Sequence, residues 1–382
     1  MDYVEYVYSY KERIRKQVEG LLSEREIEVA RRDPHAKRPP RPCGITIHPG
    51  IGCPYACRYC YVYDMGFTQE VKPSQPNGLQ LVYALLANKY FIPGARGSYL
   101  AIGSVTEPFH PLLKNKTLEY IEAIYRFLGN PTQFSTKQYI DPLTAEKIAE
   151  YSSNHISPLV TLVTLEKHRE LEPNQVKPEK RLETIKNLRE AGLKPFLFLR
   201  PIIPGITQRE YREIIDLALE NGAVGVVAGG LRVTRRIIER LREAGVDPSE
   251  ITRRLPIPVE KMKPGVQYDI YTSDIKNEVL NYARKKGLIA YPSSCMANLY
   301  THGLTCWKMS ILQKQNNQKL EEPSPEELSR IIEKLGGRLE NYVFQNGSLN
   351  MWIKCGKCNG RLIGEVIRSR FLTCTKVFTK RG

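Results

Sequence analysis

The chain reads as an α/β fold, a partial (β/α)6 TIM-type barrel followed by a small C-terminal β module that carries a cysteine knuckle. Three observations predict it. Between residues 44 and 230, short apolar runs alternate with amphipathic stretches, the pattern of parallel strands joined by helices. Several of those runs pass straight into turns bearing Gly or Pro, among them Gly103-Ser104-Val105-Thr106-Glu107-Pro108 and Pro201-Ile202-Ile203-Pro204-Gly205. Beyond residue 312 the pattern changes to a polar stretch, a helical run and two strand-like runs about Asn346-Gly347, a strong hairpin dipeptide.

The expected segments are 1–43, a helix and a basic proline-rich arm; 44–235, the barrel; 236–312, a helical extension and a mouth-closing segment; and 313–382, the C-terminal module. Tyr3, Tyr6, Val7, Tyr10, Ile14, Val18, Leu21 and Leu22 recur at three- and four-residue intervals, which predicts one helix over 3–32 whose tyrosines pack on the barrel. Residues 31–42 hold four prolines and six Arg, Lys or His, reading as a solvated linker or as an extended basic arm near the barrel mouth. Strands are expected at 44–48, 98–103, 132–136, 159–164, 195–200 and 223–228, with helices at 79–87, 118–128, 142–151, 177–191 and 210–221. From 235 to 287 the chain is helical and charged, 288–310 is expected to close the barrel mouth, 313–325 reads as a linker, and 325–335 as a short helix.

At 382 residues the chain can bury one large core and a smaller module. No apolar run approaches the ~20 residues of a membrane span, and the first residues, Met1-Asp2-Tyr3-Val4-Glu5, carry no signal-peptide pattern. Nine cysteines in partly metal-like spacings suit a reducing compartment, so a cytoplasmic location is expected. The net charge of +16 and its clustering favour a polyanionic partner, DNA or RNA.

The chemistry concentrates at Cys53-Pro54-Tyr55-Ala56-Cys57-Arg58-Tyr59-Cys60, a C-x3-C-x2-C loop just past the first strand. Ligands collect at the carboxyl ends of strands in α/β folds. Iron–sulfur cubanes and structural zinc take four protein ligands, so a loop of three thiolates leaves one metal position open. An open position on a [4Fe–4S] cluster is what a chelating cofactor needs.

With an aromatic residue before its third cysteine, this loop resembles the cluster loop of the radical S-adenosylmethionine (radical SAM) superfamily. The resemblance implies a [4Fe–4S] cluster on Cys53, Cys57 and Cys60, SAM bound at the unique iron, and a one-electron reductant such as ferredoxin or flavodoxin. Reductive cleavage of SAM would then give a 5′-deoxyadenosyl radical that abstracts hydrogen from the substrate. It further places Tyr59 on the adenine side of SAM, and Gly103, Ser104, Thr106 and Glu107 in the turn that binds the SAM ammonium. Arg200, before Ile203-Pro204-Gly205, is a candidate for the SAM carboxylate, which guanidinium binds in bidentate fashion. The runs 101–111, Leu171-Glu172-Pro173 with Arg181-Leu182, and 200–205 are similar to the spore photoproduct lyase group, over roughly residues 44–235. The lyase's hydrogen-donating cysteine has no counterpart, since the chain holds no cysteine between Cys60 and Cys295.

Cys355-x2-Cys358-x15-Cys374 resembles a zinc ribbon lacking its fourth cysteine, for which Cys295, Cys306 or His302 is a candidate. Cys295 and Cys306, placed by this reading near the mouth, are also candidate hydrogen donors, ligands of a second cluster or buried thiols, whereas Cys43 reads as a buried thiol. Residues 352–382 hold eight Lys or Arg and one Glu, a basic module suited to phosphates, with Trp352, Tyr342, Phe344 and Phe371 as stacking or core residues. The function expected is thus a radical SAM enzyme acting on nucleic acid. The alternatives are the same chemistry on a peptide, protein or small molecule, or a non-catalytic Fe–S or zinc protein that binds nucleic acid.

Overall fold

Seven parallel strands rather than six form the central sheet in the computed structural model of the chain, which describes residues 2–41, 43–313 and 320–380. They are β1 (Gly44–Ile47), β2 (Tyr99–Ile102), β3 (Thr132–Thr136), β4 (Ser157–Thr161), β5 (Phe196–Ile202), β6 (Gly225–Gly230) and β7 (Ile289–Tyr291), side by side in chain order. Each neighbouring pair is parallel. The seventh strand escapes sequence reading because only three residues pair, Ile289 to Tyr291 against Gly225 to Val227.

Both faces of the sheet are covered. Leu100, Ile102, Val160, Leu197, Leu199, Val226 and Ala228 point outward into a core shared with the flanking helices. Those are α3 (Gly78–Ala87), α4 (Lys114–Phe127), α5 (Pro142–Tyr151), α6 (Pro178–Glu190), α7 (Thr207–Glu220) and, after α8 (Arg235–Glu243), α9 (Ser273–Lys285). The alternate residues Tyr99, Leu159, Phe196, Val227 and Tyr291 point inward. The lumen they line is filled by Met296, Ala297 and Leu299 of α10 (Ser294–Thr301).

That helix corrects the expected mouth closure. Residues 288–310 stop the opposite end of the barrel, where the strands begin. Asn298 donates to the carbonyl of Pro131, just before β3, at 3.0 Å, and Thr132 N–H donates to His302 at 3.3 Å. His302 also meets Tyr125 Oη at 2.9 Å and the Asn298 carbonyl at 2.7 Å, so both ring nitrogens are committed to structure and not to a metal. Burial pushes its pKa down to about 4.

The N-terminal segment is two helices, α1 (Tyr3–Glu19) and α2 (Glu24–Arg32), not one. Ser23 and Glu26 form a reciprocal capping box that starts the second helix and breaks the first at Gly20. Val4, Val7, Ile14 and Val18 make the buried stripe of α1, while Tyr6 and Tyr8 are 50% and 44% exposed. The proline-rich arm is tied down at its centre, where His35 is buried and accepts from His48 N–H and Asn88 donates to the carbonyls of His35 and Arg38, while Arg31, Arg32, Lys37 and Arg41 stay exposed.

After α11 (Trp307–Gln313), the C-terminal module consists of α12 (Pro325–Lys334), β8 (Arg338–Gln345), β9 (Ser348–Lys354), α13 (Gly360–Phe371) and β10 (Cys374–Lys380). The expected linker lies partly outside the described residues. Asn346 and Gly347 both take positive φ, 50° and 68°, as the tight β8–β9 hairpin requires. The spacer before Cys374 folds as α13 and returns β10 parallel to β9, which makes a ββαβ unit in place of a ribbon. Leu328, Ile331, Leu349, Met351, Ile363 and Val366 share one core with Val4 and Val7 of α1, and Arg96 donates to the carbonyls of Ser369 and Arg370. The module is therefore docked on α1 and on the N-terminal end of the barrel.

Candidate active site

The Cys53–Cys60 loop leaves β1 at the carboxyl end of the sheet, and its backbone is tied on every side. Gly52 sits at φ +87°, and an added Cβ would lie 1.9 Å from the Glu70 carbonyl oxygen, so only glycine fits. Ala56 holds a left-handed φ of +51°, secured by its N–H donating to Tyr63 Oη at 3.0 Å. The same hydroxyl donates to the Cys53 carbonyl at 2.6 Å. From behind, Arg240 of α8 donates to the carbonyls of Arg58 and Cys60 and pairs with buried Asp64 at 2.8 Å. These ties consume the loop's backbone groups and leave its thiols free.

Cys53, Cys57 and Cys60 line one cavity of about 140 Å³ together with Gly103, Ser104, Thr106 and Glu107. Burial pushes the Cys53 thiol up to about 11 and Cys57 up to about 12. Among the described residues no three Cys, His, Asp or Glu side chains are gathered about one point, and the three cysteines share one wall of the cavity. The lining holds, among the described residues, no fourth cysteine and no histidine, and the donor set fits a cluster that keeps one iron open.

The turn after β2 is the opposite wall. Gly103 takes φ +96°, and a Cβ there would meet the Ser135 carbonyl oxygen at 2.6 Å. Thr106 donates to the Gly52 carbonyl at 2.6 Å and so locks the turn to the cysteine loop. Glu107 accepts from Thr136 Oγ1 at 2.5 Å, Lys137 N–H at 3.0 Å and Phe109 N–H at 3.3 Å. Burial raises its pKa against the pull of those bonds. Thr106 and Glu107 are thus framing residues, whereas Ser104 Oγ has no hydrogen-bond partner among the described residues and faces the cavity.

Tyr59 does not line the cavity. It is buried, with its hydroxyl bonded to Glu172, which pairs with Arg181 at 2.5 Å where both side chains are wholly buried. The aromatic on the cavity is Tyr61, a residue the spacing argument passed over because it follows the third cysteine. Lys137 joins the lining, its ammonium 5.5 Å from the Tyr59 ring centre. Burial would lower its pKa, but the Cys57 thiol and Glu172 outweigh that and raise it. Arg200 lies within β5 but does not line the cavity; it lies across Gly229 and the Phe198 face and has no carboxylate within ion-pair distance among the described residues. Thr164 is turned away from the mouth onto Glu210, and His110 packs edge-on against Tyr55.

The remaining cysteines are elsewhere. Cys355 and Cys358 are disulfide-bonded, and Cys355 N–H donates to Lys380 at the far end of β10. Cys374 opens that strand opposite Ser348, six residues from Lys380 and so roughly 20 Å along it. The three do not converge, and a ribbon site of Cys355, Cys358 and Cys374 is not formed. Cys295 and Cys306 stand beside the barrel-stopping helix, at the strand end opposite the cysteine loop, which removes them from hydrogen donation at the mouth.

Residues 47–218 match the sequence model of the Radical SAM superfamily. An uncharacterized protein of Methanocaldococcus jannaschii is 27% identical over 192 residues, 46% of this chain and 69% of that protein. An uncharacterized protein of Mycobacterium tuberculosis is 26% identical over 205 residues, half of this chain but 60% of the relative's length. A mutant spore photoproduct lyase solved with bound AdoMet and dinucleoside spore photoproduct superposes with TM-score 0.55 at 16% identity, over 71% of this chain and 84% of that one. The lyase complexed with dinucleoside spore photoproduct gives TM-score 0.51 at 16% identity, over 63% and 74%. These likenesses establish the partial-barrel fold. With that fold, the matched segment, which carries the cysteine loop, is similar to the Radical SAM superfamily over 47–218.

Proposed function

We propose that this enzyme binds a [4Fe–4S] cluster on Cys53, Cys57 and Cys60 and SAM against the 103–107 turn, and abstracts hydrogen from a nucleic-acid substrate. The observation that carries the reading is the single cavity lined by the three thiols and that turn. Bound there, the cluster and SAM supply one-electron cleavage of SAM and an adenosyl radical. The chain's own residues then position. Ser104 and the turn's backbone would accept from the SAM ammonium, Arg200 would take the carboxylate, and Tyr61 would flank the cofactor. Thr106, Glu107 and Arg240 hold the two walls in register.

Arg200→Ala is expected to weaken SAM binding about ten- to a hundredfold, the size of one charge-assisted contact, with cluster iron unchanged. Equilibrium binding on the anaerobic holoprotein measures it. Unaltered SAM affinity would take Arg200 out of the site.

The nucleic-acid part rests on the net charge of +16 and on the outer face of the C-terminal sheet. Trp352 and Phe378 stack there at 5.2 Å and 17°, next to Lys354, Lys376 and Lys380, all three exposed. Two stacked aromatics ringed by lysines on an open sheet suit unpaired bases and their phosphates. Because this face belongs to the module docked at the base of the barrel, a nucleic acid touching both it and the mouth must run along the outside of the barrel. That favours a folded RNA or a long strand over a dinucleotide. Trp352→Ala with Phe378→Ala is expected to weaken RNA or DNA binding by roughly 10- to 100-fold, and each lysine lost to lower the salt slope by about 0.7–0.9. SAM cleavage without substrate should persist, since no residue of this face lines the cavity. Transfer of deuterium from labelled nucleic acid into 5′-deoxyadenosine tests the substrate class directly, and its absence would turn the reading to peptides or small molecules.

A further inference from the structure

Four cysteines from four separated stretches of sequence meet at the base of the barrel, away from the cavity. Cys43 immediately precedes β1, Cys295 lies in the first turn of α10, Cys306 precedes α11, and Cys374 opens β10. Backbone contacts bring these stretches together. Tyr99 N–H donates to the Cys43 carbonyl at 3.2 Å, Trp307 N–H to the Leu372 carbonyl at 3.1 Å, and Cys374 N–H to the Gly347 carbonyl at 3.2 Å. Gly347 comes so near Trp307 and Lys308 that a Cβ would lie 2.8 Å from their backbone atoms. Cys43, Cys295 and Cys306 pack on one cluster with Tyr99 and Met296, and Cys374 lines the same cavity as Cys43. Cys306 is close enough that its charge acts on Cys295 and that of Cys374 acts on it. All four are free and partly exposed, and Cys43 and Cys374 open onto a cavity of about 690 Å³.

We propose that Cys43, Cys295, Cys306 and Cys374 are a tetrathiolate site for one zinc ion, which fastens the C-terminal module and the barrel-stopping helix to the start of β1. Four thiolates and no other donor is a structural zinc set, closed to further ligands. A tetrahedral ion with Zn–S near 2.3 Å holds its sulfurs about 3.8 Å apart. As with the mouth loop, the four side chains are not yet gathered about one point, and ligation needs rotation of the thiols toward a common centre.

The surroundings supply what a doubly negative zinc tetrathiolate requires. Arg368 is 3% exposed, with its guanidinium 4.8 Å from the Tyr99 ring centre, and that ring lies beside Cys43, Cys295 and Cys306. Its Nε pairs with Glu365 at 3.1 Å and one Nη donates to the Gly97 carbonyl, but Nη1 is buried with no hydrogen-bond partner. A buried guanidinium N–H left unpaired is costly, and a Cys43 thiolate would give it an acceptor. Ser293 Oγ lies 3.1 Å from the Cys295 sulfur, an O–H contact of the outer-shell kind that orients metal thiolates.

The test uses full-length protein purified under reducing conditions and supplied with zinc. The expected content is about one zinc per chain, apart from the iron of the mouth loop. Cobalt substitution should give the strong thiolate-to-metal charge-transfer and visible bands of a tetrahedral tetrathiolate. Cys374→Ser and Cys43→Ser should each weaken zinc binding at least about tenfold while leaving mouth-loop iron in place. Because a variant can fail to fold, the wild-type cobalt spectrum decides independently, and a spectrum without thiolate bands overturns the proposal. So does zinc that survives replacement of all four cysteines. Extra iron and sulfide lost in the variants in place of zinc would identify a second cluster and overturn it equally. None of these readouts involves SAM cleavage, so this site and the proposed radical chemistry stand or fall separately.

Discussion

Replacing Cys53, Cys57 and Cys60 together by alanine is expected to remove all cluster iron and sulfide and reduce 5′-deoxyadenosine formation to background. Among the described residues these are the only cysteines on the cavity wall, which leaves no neighbouring thiol to substitute for them. The fold should survive. Cys53 and Cys60 are partly exposed, and only Cys57, at 6% exposure against Leu171, Val233 and Ile237, loses packing on truncation. A single sulfur lost from a buried position costs about 1 kcal/mol, small beside the hydrogen-bonded frame of Tyr63, Arg240 and Thr106. Anaerobic iron and sulfide analysis with Mössbauer spectra, paired with circular dichroism, separates the two effects. A cluster that persists in the triple variant would mean other ligands hold it.

Arg181→Met is expected to destabilise the folded protein by about 3–5 kcal/mol, the largest effect of any single substitution considered. Arg181 and Glu172 pair at 2.5 Å with no exposure on either side chain, and Arg181 Nε donates to the Val176 carbonyl at 2.8 Å. Removing the guanidinium leaves an uncompensated carboxylate in the interior, whose desolvation far exceeds what a methionine contact returns. The consequence reaches the site. Glu172 holds the Tyr59 hydroxyl, and Tyr59 adjoins Cys60, so the variant should also hold its cluster less firmly. Denaturant unfolding of the anaerobic protein measures the first effect and iron loss to a chelator the second. Arg181→Met with Glu172→Leu should recover much of the stability, because an apolar pair of similar volume leaves no buried charge. If the double variant is no more stable than the single one, the cost is packing and not electrostatics.

The first six strands and their helices were legible in the sequence because each carries its own apolar period, with ends that fall within a few residues of the observed ones. So was the place of the cysteine loop, directly after β1 at the carboxyl end of the sheet. The glycines at 52 and 103 answer close backbone approaches that a sequence marks only as turns. What local pattern could not supply were relations between distant segments. One helix over 3–32 became two because Ser23 and Glu26 cap each other more favourably than a continuous helix accommodates Gly20. Tyr59 and Tyr61 have the same chemistry one residue apart from Cys60. Only the Glu172–Arg181 pair, 113 and 122 residues beyond Tyr59, draws the first beneath the loop and leaves the second on the cavity.

The same holds for the other six cysteines. Spacing grouped Cys355 and Cys358 with Cys374, yet α13 occupies the interval and β10 runs parallel to β9, which carries Cys374 the length of a strand away from the pair. The side chains it meets instead belong to the residue before β1 and to the segment that stops the barrel. Those neighbours are set by which end of the sheet buries the apolar faces of α10 and α13. Periodicity identifies an apolar face, but only the assembled core decides what covers it.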